Sequence, residues 1–236
     1  GLGDVYKRQL KVLSDKPVAP SKLTAKKATA LTNEKIKVSL TDVVRGKDDV
    51  ISDDISQLIS LKDGDTSFAF TKSGQDYVAE FTSNKAGPHK LDLYYKAPLG
   101  ESVATDLSTS ISVSADNNAV DEAHSDVKGV DGVVTEIGSP TGTITLSLKD
   151  VDDNILGKVP AGSIKLTPNG VAGAVIIDDN PVIDESKGTY TYKVSAKKAG
   201  DYIINLQVGN TVFEDKKATL KVLSDKPVAP SKLTAK

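Results

Sequence analysis

The sequence predicts an all-β protein built of tandem β-sandwiches with about seven strands each. Three observations carry this prediction. Short runs alternate apolar and polar residues at about ten-residue spacing, two halves of the chain repeat each other, and helical periodicity is nearly absent. In the first half IKVSL (36–40) places Ile36, Val38 and Leu40 on one face, and FAF (68–70), YVAEF (77–81), LDLYY (91–95) and SISVS (110–114) continue the pattern. In the second half ITLSL (144–148) does the same with Ile144, Leu146 and Leu148. SIKL (163–166), AVII (174–177), TYTYKV (189–194), YIINLQV (202–208) and TLKVL (219–223) follow. DISQLISL (54–61) is the single segment spaced for a turn of helix.

Two levels of repetition organise these strands. LKVLSDKPVAPSKLTAK occurs at 10–26 and again at 220–236, identical at all 17 positions and 210 residues apart. Chance does not give such a match, so a longer array of a unit of about 210 residues is expected, with adjacent repeats of the same chain as its neighbours. Within that unit VSLTDV (38–43) matches LSLKDV (146–151), YVAEFTSNKAG (77–87) matches YTYKVSAKKAG (190–200), and SISVSAD (110–116) matches TLKVLSD (219–225). The offsets are 108, 113 and 109, as loop insertions between homologous modules produce.

The expected organisation has module 1 at 27–116 and module 2 at 132–224, joined by a polar linker at 117–131. Residues 10–26 close a preceding repeat and add a Pro-containing linker, and 225–236 lead to the next repeat. Pro17 and Pro20 withhold backbone donors, so SDKPVAPS reads as a short, stiff spacer. Residues 1–9, GLGDVYKRQ, resemble the in-frame translation of a transposon-based sequencing adapter and are set apart from the fold. Seven short strands per module without any cysteine suggest an immunoglobulin-like sandwich.

Composition narrows the function. Thirty basic and 32 acidic side chains leave a net charge of −2 with neither sign gathered into a block, which argues against nucleic acid as a partner. No apolar run approaches the ~18 residues of a spanning helix, so a membrane enters only through other parts of a longer chain. Absence of cysteine removes disulfides, thiolate nucleophiles and common structural zinc sites together. Catalysis has little support: His89 and His124 fall in expected loops, and no nucleophile elbow, phosphate-binding loop or H-E-x-x-H motif occurs.

Metal is the alternative chemistry. Acidic side chains cluster at Asp48, Asp49, Asp53 and Asp54, at Asp150, Asp152 and Asp153, and at Asp178, Asp179 and Asp184. Calcium takes six to eight oxygens and is well served by carboxylates on turns, which makes Asp48, Asp49, Asp150, Asp152 and Asp153 its candidate ligands. The other reading is a solvated turn whose Asp side chains cap backbone donors. None of the runs is an EF-hand loop. An internal Lys–Asn cross-link from Lys35 or Lys37 lacks an identifiable partner and carboxylate.

TITLSLKDVDDNILGK (143–158) is similar to the opening of bacterial immunoglobulin-like repeats of the invasin and intimin type. GTYTYKVSAKKAGDYIINLQVGN (188–210) resembles their closing half, with Gly200 and Gly87 at an x-A-G turn. The resemblance covers nearly all of module 2 and about half of module 1. Module 1 departs at RGKDDVISDD (45–54), longer than the usual turn. The resemblance implies a non-catalytic rod of sandwiches on a bacterial cell surface, or secreted, that holds an adhesive region outward toward a host or cell-surface ligand. The competing expectations are a sandwich that itself binds carbohydrate or a host protein, and an accessory domain of a phage or secreted enzyme. With aromatic residues at 5% and no Trp, a sugar platform is poorly supplied.

Overall fold

The computed structural model describes residues 14–131, 134–135 and 142–224. The adapter-like residues 1–9 and the segment 225–236 lie outside them. The chain forms two compact units that divide between Ser114 and Ala115, each a sandwich of two antiparallel-rich sheets around its own core.

In the first unit, β1 (Lys22–Ala25), β3 (Ile36–Thr41), β9 (Asp76–Phe81) and β8 (Thr71–Ser73) make one sheet in the order β1-β3-β9-β8. The facing sheet runs β2-β11-β10-β6-β7, from β2 (Thr29–Leu31), β6 (Ile59–Asp63), β7 (Thr66–Ala69), β10 (Gly87–Lys96) and β11 (Ser102–Ser114). A hairpin of β4 (Val44–Gly46) and β5 (Asp49–Val50) stands apart. The alternation of IKVSL works as the sequence predicts, because strand side chains alternate faces. Ile36, Val38 and Leu40 are buried while Lys37 is exposed. Leu61, Phe81, Leu91, Leu93 and Ile111 meet them from the other strands.

The second unit repeats the plan. Its first sheet contains β12 (Asp126–Asp131), β14 (Gly142–Ser147), β18 (Thr189–Ala196) and β16 (Val175–Ile177), with β17 (Val182–Asp184) also paired to β18. Its second contains β13 (Val134–Thr135), β21 (Ala218–Leu223), β19 (Gly200–Val208) and β15 (Ile164–Pro168), with β20 (Thr211–Val212) paired to β19. In both units the N-terminal segment shares its hydrogen bonds between the sheets. β1 and β12 run antiparallel to β3 and β14, then β2 and β13 run parallel to the last strands β11 and β21. One segment thus covers an edge on each sheet, which limits edge-to-edge pairing with other chains.

Four expectations change. The stretch 117–131 is not wholly linker, since its end is strand β12, whose Val127 and Val130 pack on the core only in part. KLTA, assigned with the leading linker, is strand β1. DISQLISL forms a single turn, Leu58 N–H donating to Ile55 C=O at 2.8 Å, and then β6; Ile55 and Ile59 are both core residues, and their spacing imitates a helix face. His89 lies within β10 rather than in a loop, because it fills the place of a tyrosine in the other unit, as described below.

Candidate functional site: the leading segments and the hydroxyl latches

Each sandwich is tied to the segment that leads into it. Pro17 is buried, and Val18 pairs antiparallel with Val44 of β4, donating its N–H to the Val44 carbonyl at 3.0 Å. The Ser21 hydroxyl, 4% exposed, accepts from Val44 N–H at 2.9 Å and donates to Val44 C=O at 3.1 Å. Arg45, at the middle of β4, reaches Asp15 at 3.0 Å through Nη1, and its Nε lies 3.6 Å from Asp49. The prolines in SDKPVAPS predict a short, stiff spacer. Here it is docked, held by Val44 and by Arg45 at the start of RGKDDVISDD.

The second unit holds its leading segment with different residues. Ser125, 1% exposed, accepts from Lys149 N–H at 3.0 Å and donates to Lys149 C=O at 3.2 Å, as Ser21 does with Val44. The Glu122 carboxylate accepts the backbone N–H groups of Glu214 (3.0 Å), Asp215 (2.7 Å) and Lys216 (3.0 Å). Lys216 in return donates through Nζ to the carbonyls of Ala123 and Ser125.

These bonds hold two carboxyls below the usual range. For Glu122 the chief cause is the N–H of Asp215, with lesser help from Glu214 and Lys216. For Asp121 it is the side-chain hydrogen bond with His124. A carboxyl depressed by folding stabilises the folded state above its ordinary value near ~4, and that contribution is lost as pH falls through the lower folded value. The melting temperature is therefore expected to fall on acidification from about pH 6 to pH 3, and to fall less in Glu122→Gln. Equal slopes for the two proteins in calorimetry would dismiss the role of Glu122.

Matching positions in the two units carry matching latches. Tyr77 and Tyr190, paired by the 113-residue offset, are 1% and 0% exposed. The Tyr77 hydroxyl accepts from Ile55 N–H (3.1 Å) and donates to Asp53 C=O (3.2 Å). The Tyr190 hydroxyl accepts from Val159 N–H (2.9 Å) and donates to Leu156 C=O (2.6 Å). Each fastens an irregular crossover to the core. At the start of β19, the Tyr202 hydroxyl donates to Lys198 C=O four residues upstream at 2.9 Å, the tyrosine corner of immunoglobulin-like domains. The first unit builds the same corner from histidine: His89 Nε2 donates to Lys85 C=O at 2.7 Å, while Nδ1 meets the Asp63 carboxylate at 2.8 Å. Aligning NKAGPH with KKAGDY is the sequence signal for this substitution.

The proposed calcium ligands do not converge. Asp150 is 4% exposed, and its carboxylate accepts Asp152 N–H (3.0 Å), Asn154 N–H (2.8 Å) and Asn154 Nδ2 (2.8 Å). Asp153 pairs with Lys149 at 3.2 Å, and Asp49 with Arg45. Asp48 and Asp153 take left-handed backbone, φ 60° and 66°, which Asp tolerates better than most residues. Among the described residues no three acidic or histidine side chains gather at a point where a metal would sit. Asp54, Asp178 and Asp184 likewise accept N–H groups of their own turns.

No protein-family model and no curated protein matches the sequence. Solved structures do match in shape. The Escherichia coli adhesin FdeC aligns over 92% of this chain and 67% of its own, at 18% identity and a TM-score of 0.63. Invasin, a bacterial integrin-binding protein, aligns over 89% of this chain at 17% identity and a TM-score of 0.59. InvD of Yersinia pseudotuberculosis aligns over 91% at 16% identity and 0.56. These likenesses establish the immunoglobulin-like sandwich fold. The chain spans 41% of the invasin chain and 62% of the InvD chain, less than two thirds of either.

Proposed function

We propose that this chain is a non-catalytic stalk segment of a repetitive bacterial adhesin, on the cell surface or secreted, that projects a distal binding region. The observation that carries the reading is the identical 17-residue string at 10–26 and 220–236, which brackets one two-sandwich unit at an offset of 210 residues. Adding units lengthens such a chain without altering any site. The docked leading segments support the same reading: a segment hydrogen-bonded to the sandwich after it has lost the freedom of a flexible linker, so more of the chain's length becomes reach. The adhesin likenesses agree with it. Small-angle scattering on chains of one and two units tests the proposal. A maximum dimension that rises nearly in proportion to unit number is expected, and a compact two-unit particle would overturn it.

Binding by the sandwich itself is the second reading. An open groove of about 1040 Å³ on the β1-β3-β9-β8 sheet supports it, lined by Lys26, Lys37 and Lys72 with hydroxyls of Ser39, Thr41 and Thr71. Among the acidic turns, Asp54, Asp150, Asp178 and Asp184 already cap backbone donors, and Asp49 and Asp153 face Arg45 and Lys149. Calcium titration by calorimetry, after chelator treatment, is expected to give no heat and no shift in melting temperature. A rise of several degrees would instead assign Asp150 and its neighbours, or Asp48 and Asp49, to a calcium site.

A further inference from the structure

The second sandwich opens on one flank, between the edge strands β16 of one sheet and β15 of the other. β18 pairs with β17 through Thr189–Thr191 and with β16 through Val194–Ala196. Between those stretches the chain crosses from β16 to β17 through Asp178–Pro181, and Pro181 has no N–H to pair. A cavity of about 280 Å³ lies beside this crossing, walled by Ile164, Leu166, Ile177 and Tyr192, with the exposed Asp178 and Asp179 also lining it. Two polar groups here are uncommitted. Tyr192 is 4% exposed, and among the described residues its hydroxyl has no hydrogen-bond partner. Among the same residues Asp179 forms no ion pair or side-chain hydrogen bond, whereas Asp178 commits one oxygen to Asn180 N–H at 3.0 Å. The fold does not require a tyrosine at this place. The 113-residue offset aligns Tyr192 with Ala79, which is 1% exposed in the first sandwich. A buried hydroxyl without a partner is costly, so the second sandwich keeps a polar group that its packing does not explain.

We propose that this cavity binds a primary alkylammonium group, its alkyl stem against Ile164, Leu166 and Ile177 and its charge between Asp179 and the Tyr192 hydroxyl. The site is independent of the stalk reading. Two carboxylates and no cationic side chain line the cavity, which disfavours an anion and attracts a cation. Burial first, then Tyr190 and Asp179, raise the Tyr192 hydroxyl to about 12, so it is protonated at neutral pH and lies within the field of Asp179. An ammonium has three donors and no acceptor. One such group can serve the Asp179 carboxylate, the second oxygen of Asp178 and a lone pair of the tyrosine oxygen together. Two carboxylates and one hydroxyl fall short of the six to eight oxygens that calcium takes. The apolar walls favour a stem of a few carbons over a bare ammonium ion, because methylenes leave water against them. Asp178, Asp179 and Asn180 are all exposed, so a small outward movement of the crossing gives the guest access to the buried hydroxyl. Free alkylamines and lysine side chains share this chemistry.

Methyl-detected NMR titration of the full chain tests the proposal with two probes, n-butylammonium and a capped Gly-Lys-Gly peptide. Saturable shifts at Leu166 and Ile177 are expected, while n-butanol and sodium chloride at the same concentrations are expected to give none. Tyr192→Phe and Asp179→Asn are each expected to weaken binding by about ten-fold or more. Asp179→Asn changes an exposed residue, so its result stands even where Tyr192→Phe unfolds the sandwich. Saturation by the peptide alone assigns the site to a lysine of another chain, and saturation by n-butylammonium alone assigns it to a free amine. No saturable shift with either probe, or unchanged affinity in the variants, would overturn the proposal. So would an ordered water alone on Tyr192 Oη in a crystal soaked with n-butylammonium.

Discussion

Replacing Gly157 with Ala is expected to destabilise the second sandwich by about 3 kcal/mol and lower its melting temperature by roughly 10 °C or more. A Cβ at Gly157 would lie 2.0 Å from the Glu185 carbonyl oxygen and 2.7 and 2.8 Å from the Glu185 carbonyl carbon and Cα. All three are backbone atoms, so no side chain can swing aside. Neither strand of chain is free to retreat. Leu156, next to Gly157, is fully buried, donates to Leu148 C=O at 2.9 Å and receives the Tyr190 hydroxyl at its own carbonyl. Glu185 follows β17 and opens a turn in which the Asp184 carboxylate accepts Ser186 N–H and the Ser186 hydroxyl. Gly162 is the control: a Cβ there meets nothing within 4 Å, and Gly162→Ala is expected to stay within about 0.5 kcal/mol of the parent. Thermal unfolding followed by circular dichroism distinguishes the two. A Gly157→Ala protein that melts with Gly162→Ala would show that the two backbones separate at little cost.

How far the sequence reaches depends on how many side chains each element buries. Strands with three or more core residues are plain in the alternation, as in IKVSL, ITLSL and YIINLQV. Elements that bury one or two are hidden. The hairpin β4–β5 has a single buried residue, Val44, and β1 only Leu23, inside a segment whose prolines depress any strand reading. β12 is masked by the polar, acidic run around it. The parallel pairing of β2 and β13 with the closing strands leaves no local trace, because it depends on residues more than 80 positions apart.

The latches show the same division. The 113-residue offset aligns Tyr77 with Tyr190, and the structure gives both hydroxyls the same task, so that weak repeat carried real information. The offset equally aligns His89 with Tyr202, yet two residue types with different polar atoms conceal one role. For the acidic runs, clustering in sequence says only that carboxylates are close along the chain. Geometry shows the oxygens of Asp54, Asp150, Asp178 and Asp184 turned onto N–H groups of their own turns, and those of Asp49 and Asp153 facing Arg45 and Lys149.

Tyr190→Phe and Tyr192→Phe make the same chemical change two residues apart on the same buried face of β18, and opposite outcomes are expected. Removing the Tyr190 hydroxyl strands a buried donor, Val159 N–H, and a buried acceptor, Leu156 C=O. Each unsatisfied group costs about 1–3 kcal/mol, so a loss of about 2–4 kcal/mol is expected. Among the described residues the buried Tyr192 hydroxyl has no hydrogen-bond partner. Its removal relieves a desolvated polar group, and Tyr192→Phe should be neutral or stabilising by up to about 1 kcal/mol. Alkaline pH gives a second readout. Burial pushes the Tyr190 hydroxyl up, and chiefly burial raises Tyr192 to about 12. Raised folded values mean that their contribution is complete below the ordinary tyrosine value near ~10 and is lost as pH climbs toward the folded value. Tyr192→Phe should therefore soften the fall in stability between about pH 10 and 12. Denaturant titration of both variants decides the matter. Equal losses would mean that β18 tolerates no change at either position, and the hydroxyl of Tyr190 would then have no special part in fastening the crossover from Leu156 to Val159.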